Sequence, residues 1–502
     1  MASTRLLSRS TLATALALTS YTHAADWMQF GYDAAHSGSN TAETAIGTAN
    51  VAQLVPLYAN PVTLSSSVDS APVYLANVAT PSGTKNLLFL LSQNGKVMAI
   101  DAATGSEVWS HQTTGKQPTT ASPAIDPNRQ FVYSYGTDGN AHKYKVGDGS
   151  EITSDGWPQS ITLKTDVEKG ASGLTIASAN GTNYLVVVTD GYIGDGGDYQ
   201  GHLVSIDLAN GARKVFNVMC SNVSTLLASG GCPSGRMGGI WGRGGTTFDA
   251  ATGRVYIATG NGNFNANGGG FNWGDSVLAL APDGSGSGNG LPRDSYTPTN
   301  FQSLDDSDTD LGSVSMAILP TPAGSAVAHL GMQVGKDAKL RLINLDNMSG
   351  AGAPAHVGGE LQLLSVPQGG GGMREQPAVW VNPADHSTWL FVGNASGLSG
   401  LQLGLGAGGQ PALSQRWTKT SSSTSAIVAN GVLYHAGACT GGTCVIAHDP
   451  LTGNVLWTSP KIGSVHWQSP ILVAGSLYIT DNNAKLWRFG TDVIFKDGFD
   501  RP

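Results

Sequence analysis

GKVMAIDAATGSEVW, residues 95–109, contains the whole plan of the fold in one phrase. KVMAI alternates sides as a half-buried strand does, Asp101 with Thr104-Gly105 makes a tight turn, and EVW starts a return strand. The phrase recurs as GHLVSIDLANGARKVF at 201–216 and CVIAHDPLTGNVLW at 444–457. Weaker copies are NAHKYKVGDGSEI near 140, SVLALAPDGSG near 276, AKLRLINLDNMSG near 338, GLSGLQLGLGAGG near 397 and AKLWRFG near 484. Spacings of roughly 40 to 75 residues are those of propeller blades with insertions, and eight copies predict eight blades.

A single hairpin cannot bury its own apolar face, so Trp109, Phe216, Trp417 and Trp457 are expected to wedge between neighbouring blades. No segment has the pattern of a long amphipathic helix, and Gly makes up 68 of 502 residues, nearly double the usual share of about 7%. The expectation is an all-β, eight-bladed propeller of four-stranded antiparallel blades. It forms one domain over 25–490, its ring closed by the N-terminal region pairing with the last blade, because an open ring would leave two exposed edges.

Residues 1–24 carry Arg5 and Arg9, the apolar run TLATALALTS and then Thr22-His23-Ala24, the order of a secretory signal with a small-x-small cleavage site. The run is too short to span a bilayer, and no other segment reaches 18 uncharged apolar residues, so a periplasmic or secreted protein without a transmembrane segment is expected. In that compartment Cys220 with Cys232 and Cys439 with Cys444 read as two loop-closing disulfides. The spacing in Cys439-Thr-Gly-Gly-Thr-Cys444 is not that of a haem c or zinc motif. The formal charge is −8, and −10 once Arg5 and Arg9 leave with the signal. With charged residues at 12% and no basic run, a nucleic acid partner or anionic membrane surface is not expected. There is no His-Glu-x-x-His, no Gly-x-Ser-x-Gly elbow and no phosphate loop, which excludes the corresponding hydrolase and nucleotide chemistries.

The segment RMGGIWGRGGTTFDAATGRVYIATGNGNFNANGGGFNWGDSVLALA, 236–281, gathers aromatic, amide and glycine residues into loops joined by the strand RVYIATGN, a composition suited to a flat polar cofactor. Together with the repeats it makes the chain resemble the pyrroloquinoline quinone (PQQ) family of eight-bladed propellers, the fold of quinoprotein alcohol dehydrogenases, polyvinyl alcohol dehydrogenases among its wider membership. DWMQFGYDAAHSGSN at 26–40 is similar to the family's opening Trp-x-x-x-Gly-x-Asp, and SVHWQSPILVAGSLYITDN at 464–482 to a late blade.

The resemblance implies a site residue by residue. Trp241 would be the floor under the quinone, and Asn261 in TGNG a Ca²⁺ ligand. Asp310 in LDDSDTDLGSVS would be the catalytic base and a metal neighbour, with Asp308 as the alternative base or second ligand. Lys336 would donate to the quinone oxygens, and Asp69 would be an acidic cofactor contact. The family's glutamate metal ligand should fall in DGYIGDGGDYQGH, 190–202, where the chain offers Asp195 or Asp198. The family's adjacent cysteine pair is missing. The implied function is PQQ- and calcium-dependent oxidation of a small-molecule or polymeric alcohol, with electrons passed to a separate cytochrome c. The alternative is a non-catalytic scaffold binding a protein or polysaccharide in the cell envelope. The two readings part on geometry: Trp241, Asn261, Asp310 and Lys336 should converge on one cavity in an enzyme. The tail 491–502, with IFKDGFDRP at its end, reads as a possible address.

Overall fold

A computed structural model describes residues 26–491; the signal expected at 1–24 and the tail beyond Thr491 lie outside the described residues. Eight antiparallel sheets of four strands form the eight blades of a propeller. Blade 1 comprises Val73–Thr80, Gly83–Leu91, Lys96–Asp101 and Glu107–Gln112. Blades 2 to 7 begin with the inner strands Ala124–Ile125, Thr175–Ala179, Thr247–Asp249, Ala317–Leu319, Ala378–Val381 and Ile427–Ala429. Each copy of the repeat phrase covers the third strand of a blade, which is why the copies count the blades.

Ring closure uses a segment later than the family-like opening. Leu54–Pro56 pairs antiparallel with Lys485–Thr491 and supplies the outer strand of blade 8, whose other strands are Ile471–Val473 and Ser476–Thr480. The tryptophans act as wedges. Trp109 lies over Gly149 in the turn of blade 2, where an added Cβ would come within 2.6 Å of the indole, and its Nε1 donates to Val146 O at 2.9 Å. Trp417 repeats this on blade 7, over Gly453 and donating to Pro450 O at 2.9 Å. Phe216 joins the buried cluster that includes Phe248 and Leu280 of blade 4.

Trp457 closes the ring by donating from Nε1 to Leu54 O at 3.0 Å. Trp457→Ala removes this buried indole at the seam and is expected to cost about 3–5 kcal/mol. Urea unfolding should show a lower midpoint at an unchanged slope; a midpoint within error of the wild type would mean the seam is held elsewhere.

The opening segment has a second task. Its backbone and polar side chains pair with inner strands around the ring: Trp27 with Tyr74, Met28 O with Ile125 N, Gln29 Oε1 with Ile176 N, Ala34 O with Phe248 N, Ser37 O with Val379 N, Gly38 O with Val428 N and Asn40 Nδ2 with Leu472 O. These touch blades 1, 2, 3, 4, 6, 7 and 8 within their inner strands. The segment is therefore a plug between the inner strands, and the mouth at the starts of those strands is left for a site. Both expected disulfides are formed, Cys220–Cys232 and Cys439–Cys444. No helix among the described residues is long and apolar enough to cross a membrane.

Candidate functional site

At that open mouth lies a cavity of about 300 Å³, lined by Trp241, Asp308, Asp310 and Lys336 together with Lys169, Asp190, Tyr192, Arg243, Arg374 and Trp467. Asp310 begins a tight turn, Leu311–Ser313, whose backbone is tied to blade 4: Leu311 N donates to Asp275 Oδ1 at 2.9 Å. The carboxylate accepts the Asn261 backbone N–H at 2.7 Å through Oδ1 and pairs with Lys336 through Oδ2. Asn261 Nδ2 donates to Asp308 Oδ1 at 3.1 Å, and Lys336 Nζ reaches the same oxygen at 2.8 Å. The ammonium also stands 5.2 Å from the Trp241 ring centre. The structure thus brings Trp241, Asn261, Asp308, Asp310 and Lys336 into one constellation.

Electrostatics follow from burial. Asp310 is 5% exposed, and its desolvation raises the carboxyl above the ordinary range even though Lys336 pulls the other way. Lys336, itself partly desolvated, is raised by Asp310 and Asp308. The exposed Asp308 is lowered by its bonds with Lys336 and Asn261, which outweigh its slight desolvation. A buried carboxylate of raised basicity beside an exposed, lowered one singles out Asp310 as the stronger proton acceptor.

The remaining sequence-derived residues lie at different removes. Asp195 lines the cavity but accepts the Tyr199 hydroxyl at 2.5 Å. Asp198 is not in the cavity wall; its carboxylate accepts Gly230 N–H at 2.7 Å and Gln200 Nε2 at 2.7 Å and braces the loop of the first disulfide. Asp69 is also outside the wall, yet it holds a wall residue: it accepts Trp467 N–H at 2.9 Å and pairs with His466 Nδ1 at 2.7 Å.

Sequence reasoning missed Asp190, which opens the 190–202 window and sits against Gly239, where an added Cβ would fall 2.1 Å from Asp190 Oδ1. It also missed Arg243 and Trp467, although both stand inside quoted segments. Arg243 is 3% exposed and lies 3.9 Å from the Trp467 ring centre. It donates to Thr120 Oγ1 at 3.1 Å and Trp241 O at 3.0 Å, leaving Nε without a partner.

Burial pushes the Asp190 carboxyl up to about 7, Lys169 pulls it down and Asp310 adds to the rise. Between the unfolded value near 4 and about 7 the folded chain therefore holds an extra proton. Stability from this group is greatest below that window and falls as pH rises through it. Because Asp190 is only partly buried in the wall, solvent discounts the penalty to about 1–2 kcal/mol. Asp190→Asn should raise the melting temperature of quinone-free protein at pH 8 and leave it unchanged at pH 4; an equal shift at both would rule out a charge effect.

The donor set can be tested against the two groups that the resemblance implies. The flat indole of Trp241, with four cations at Lys169, Arg243, Lys336 and Arg374, fits a planar polyanionic quinone. A calcium cage is not preassembled. Among the described residues no group of three or more His, Cys, Asp or Glu has metal-holding geometry. Lys336 already occupies Asp308 and Asp310.

The family profile described as the PQQ glucose/ethanol/alcohol dehydrogenase β-propeller domain matches residues 27–285. No curated protein sequence matches significantly. Among solved structures, the quinohemoprotein alcohol dehydrogenase ADHIIG from Pseudomonas putida HK5 aligns with a TM-score of 0.64 at 13% identity, over 96% of this chain and 82% of its own. The quinohemoprotein alcohol dehydrogenase from Comamonas testosteroni aligns at 0.63 and 17% identity, over 93% and 80%. A europium-containing methanol dehydrogenase aligns at 0.64 and 14% identity, over 93% and 98%.

Proposed function

Because the chain belongs to the PQQ glucose/ethanol/alcohol dehydrogenase β-propeller family, we propose that it is a PQQ-dependent alcohol dehydrogenase acting at the cavity around Asp310. The observation that carries the reading is the convergence of Trp241, Asp310 and Lys336, with Asn261 bonded behind them, on one cavity at the open mouth of the propeller. A scaffold has no physical use for a buried carboxylate whose basicity is raised beside an aromatic wall.

Bound PQQ supplies a two-electron acceptor for the hydride of the alcohol carbon. Trp241 would face the quinone plane, Lys169, Arg243 and Arg374 would neutralise its carboxylates, and Lys336 would donate to a ring oxygen. Asp310 would take the alcohol's hydroxyl proton at a carboxylate oxygen, and the Asn261 N–H at 2.7 Å keeps that carboxylate aimed. Calcium is the proposed companion ion, with Asn261 Oδ1, Asp310 and Asp190 or Asp195 as candidate donors. Holding it there requires the Lys336 ammonium to leave Asp310, so the metal enters as a variable of the test and no step is routed through it.

The reading extends to export, to the periplasm or beyond, which the leader pattern at 1–24 and the two disulfides support. All four cysteines are consumed in those disulfides. None is left to attach a haem, so the proposed electron carrier is a separate cytochrome c.

The test is calorimetric and absorbance titration of the purified protein with PQQ, with and without Ca²⁺. Saturable binding is expected, weakened at least tenfold by Trp241→Ala, and weakened by Asn261→Ala only when Ca²⁺ is present. No binding under either condition would sink the dehydrogenase reading.

A further inference from the structure

A second cavity, of about 400 Å³, opens on the same mouth of the propeller and meets the first at Arg374 and Trp467. Blades 6, 7 and 8 build it, and nothing in the proposed chemistry uses it. Its wall carries Glu375, Ser422, Thr424 and His466 besides the two shared residues, next to the apolar side chains of Ala395, Ala436 and Val465.

The hydrogen-bonding capacity left over in that wall defines what would fit. Ser422 Oγ accepts Ala438 N–H at 3.0 Å and Thr424 Oγ1 accepts Ala436 N–H at 3.2 Å, so each hydroxyl keeps its own hydrogen to donate. Arg374 makes no hydrogen bond or ion pair among the described residues, and neither does Trp467 Nε1 bond to anything there. Glu375, 8% exposed, takes one bond from Ser425 Oγ at 3.1 Å and retains acceptor capacity. The wall therefore offers both donors and acceptors. A guanidinium and a carboxyl in one small space disfavour a simple anion and a simple cation alike, and an alkyl chain would leave these donors and acceptors desolvated without partners.

A neutral chain of hydroxyl groups satisfies both kinds of partner at once. Ring sugars fit less well, because they dock on an open aromatic face. The Trp467 ring already carries the Arg243 guanidinium 3.9 Å from its centre and the His466 ring at 3.8 Å.

We propose that the second cavity binds the hydroxyl-bearing remainder of an open-chain polyol whose terminal carbinol reacts in the first. The assignment rests on the dehydrogenase reading and narrows its substrate class. With PQQ bound as the two-electron acceptor, the terminal carbon would give up its hydride, its hydroxyl would give a proton to Asp310, and an aldehyde would remain. The other hydroxyls do not react; they lower KM by bonding to Ser422, Thr424, Arg374 and Glu375.

Two measurements test it. With PQQ-loaded protein and an artificial electron acceptor, kcat/KM for xylitol should exceed that for 1-pentanol, a chain of the same carbon count, by at least tenfold. The double variant Ser422→Ala, Thr424→Val should lose about tenfold on xylitol, mostly in KM, and less than twofold on 1-pentanol. Independently, calorimetry of the quinone-free protein should show xylitol binding that the double variant weakens. Oxidation of 1-pentanol as fast as xylitol would overturn the substrate assignment and leave the dehydrogenase standing. Xylitol heats without oxidation of either alcohol would overturn the dehydrogenase reading and keep the polyol site. Absence of xylitol heats in a wild-type protein that melts cooperatively would overturn the site itself.

Discussion

Asp310→Asn is expected to lower kcat for alcohol oxidation by about 10³-fold, the middle of the range for loss of a positioned general base, with the PQQ dissociation constant changed no more than a few-fold. The substitution is close to isosteric. The amide oxygen can still accept the Asn261 N–H that Asp310 Oδ1 now takes at 2.7 Å, and Lys336 keeps Asp308 at 2.8 Å. What vanishes is the ability to hold a proton. Steady-state kinetics on PQQ-loaded protein checks the magnitude, and a matched melting curve checks that the fold is retained.

The pH profile is the sharper readout. Desolvation raises the Asp310 carboxyl, so wild-type kcat/KM should climb with pH along an acid limb lying above the ordinary carboxylate range. In Asp310→Asn that limb should be gone. A variant that kept more than a tenth of wild-type turnover, with the limb intact, would move the base elsewhere, and Asp308, hydrogen-bonded to the same Lys336 and Asn261, would be the next to test.

How far the sequence carries this picture depends on the kind of interaction involved. The repeat is local: alternation, turn and return strand lie within 15 residues of one another, so GKVMAIDAATGSEVW and its copies report the blades without knowledge of the ring. The wedging Trp109 and Trp457 were legible for the same reason, since each ends a phrase. The plug was not. Residues 26–40 could be matched to a family opening, but they hold the inner strands largely through backbone N–H and C=O groups, which every sequence possesses and no composition betrays. Closure by Leu54–Pro56 was equally silent, because three residues carry too little pattern to rank one edge partner above another.

At the site, residues defined by a short motif were found, as Trp241 and Asn261 were. The choice among the carboxylates of 190–202 had no local basis. Asp190 lies in the cavity wall because it follows directly on the strand Thr182–Val188 and its neighbour Thr189, whereas Asp198 sits further along the loop and turns outward to Gly230. Arg243 was passed over because its meaning comes from charges that three other blades bring to it.

Those charges set the second large effect, that of Arg243→Met. The guanidinium is fully buried and electrostatically coupled to Asp69, Glu375 and Asp190, from blades 1, 6 and 3. Methionine keeps much of the volume beside Trp467 and removes the charge, so the expected loss at pH 8 is about 3–5 kcal/mol, the cost of stranding buried carboxylates. PQQ binding should fall below detection as well. The loss should depend on pH in a definite direction. Burial already places Glu375 and Asp190 at about 7 with the arginine present, and without it both rise further. A carboxyl whose folded value is raised destabilises the protein when ionised and ceases to do so as pH falls through that value. At pH 5.5 both groups are protonated in the variant, and the difference between variant and wild type should shrink to less than half. It should not vanish, because Asp69 is held low by His466 and the Trp467 N–H and stays charged. Urea unfolding at the two pH values measures this directly. An equal loss at both would mean that Arg243 supports the site by packing against Trp467 at 3.9 Å, and that the cavity's positive charge must come from Lys169, Lys336 and Arg374 alone.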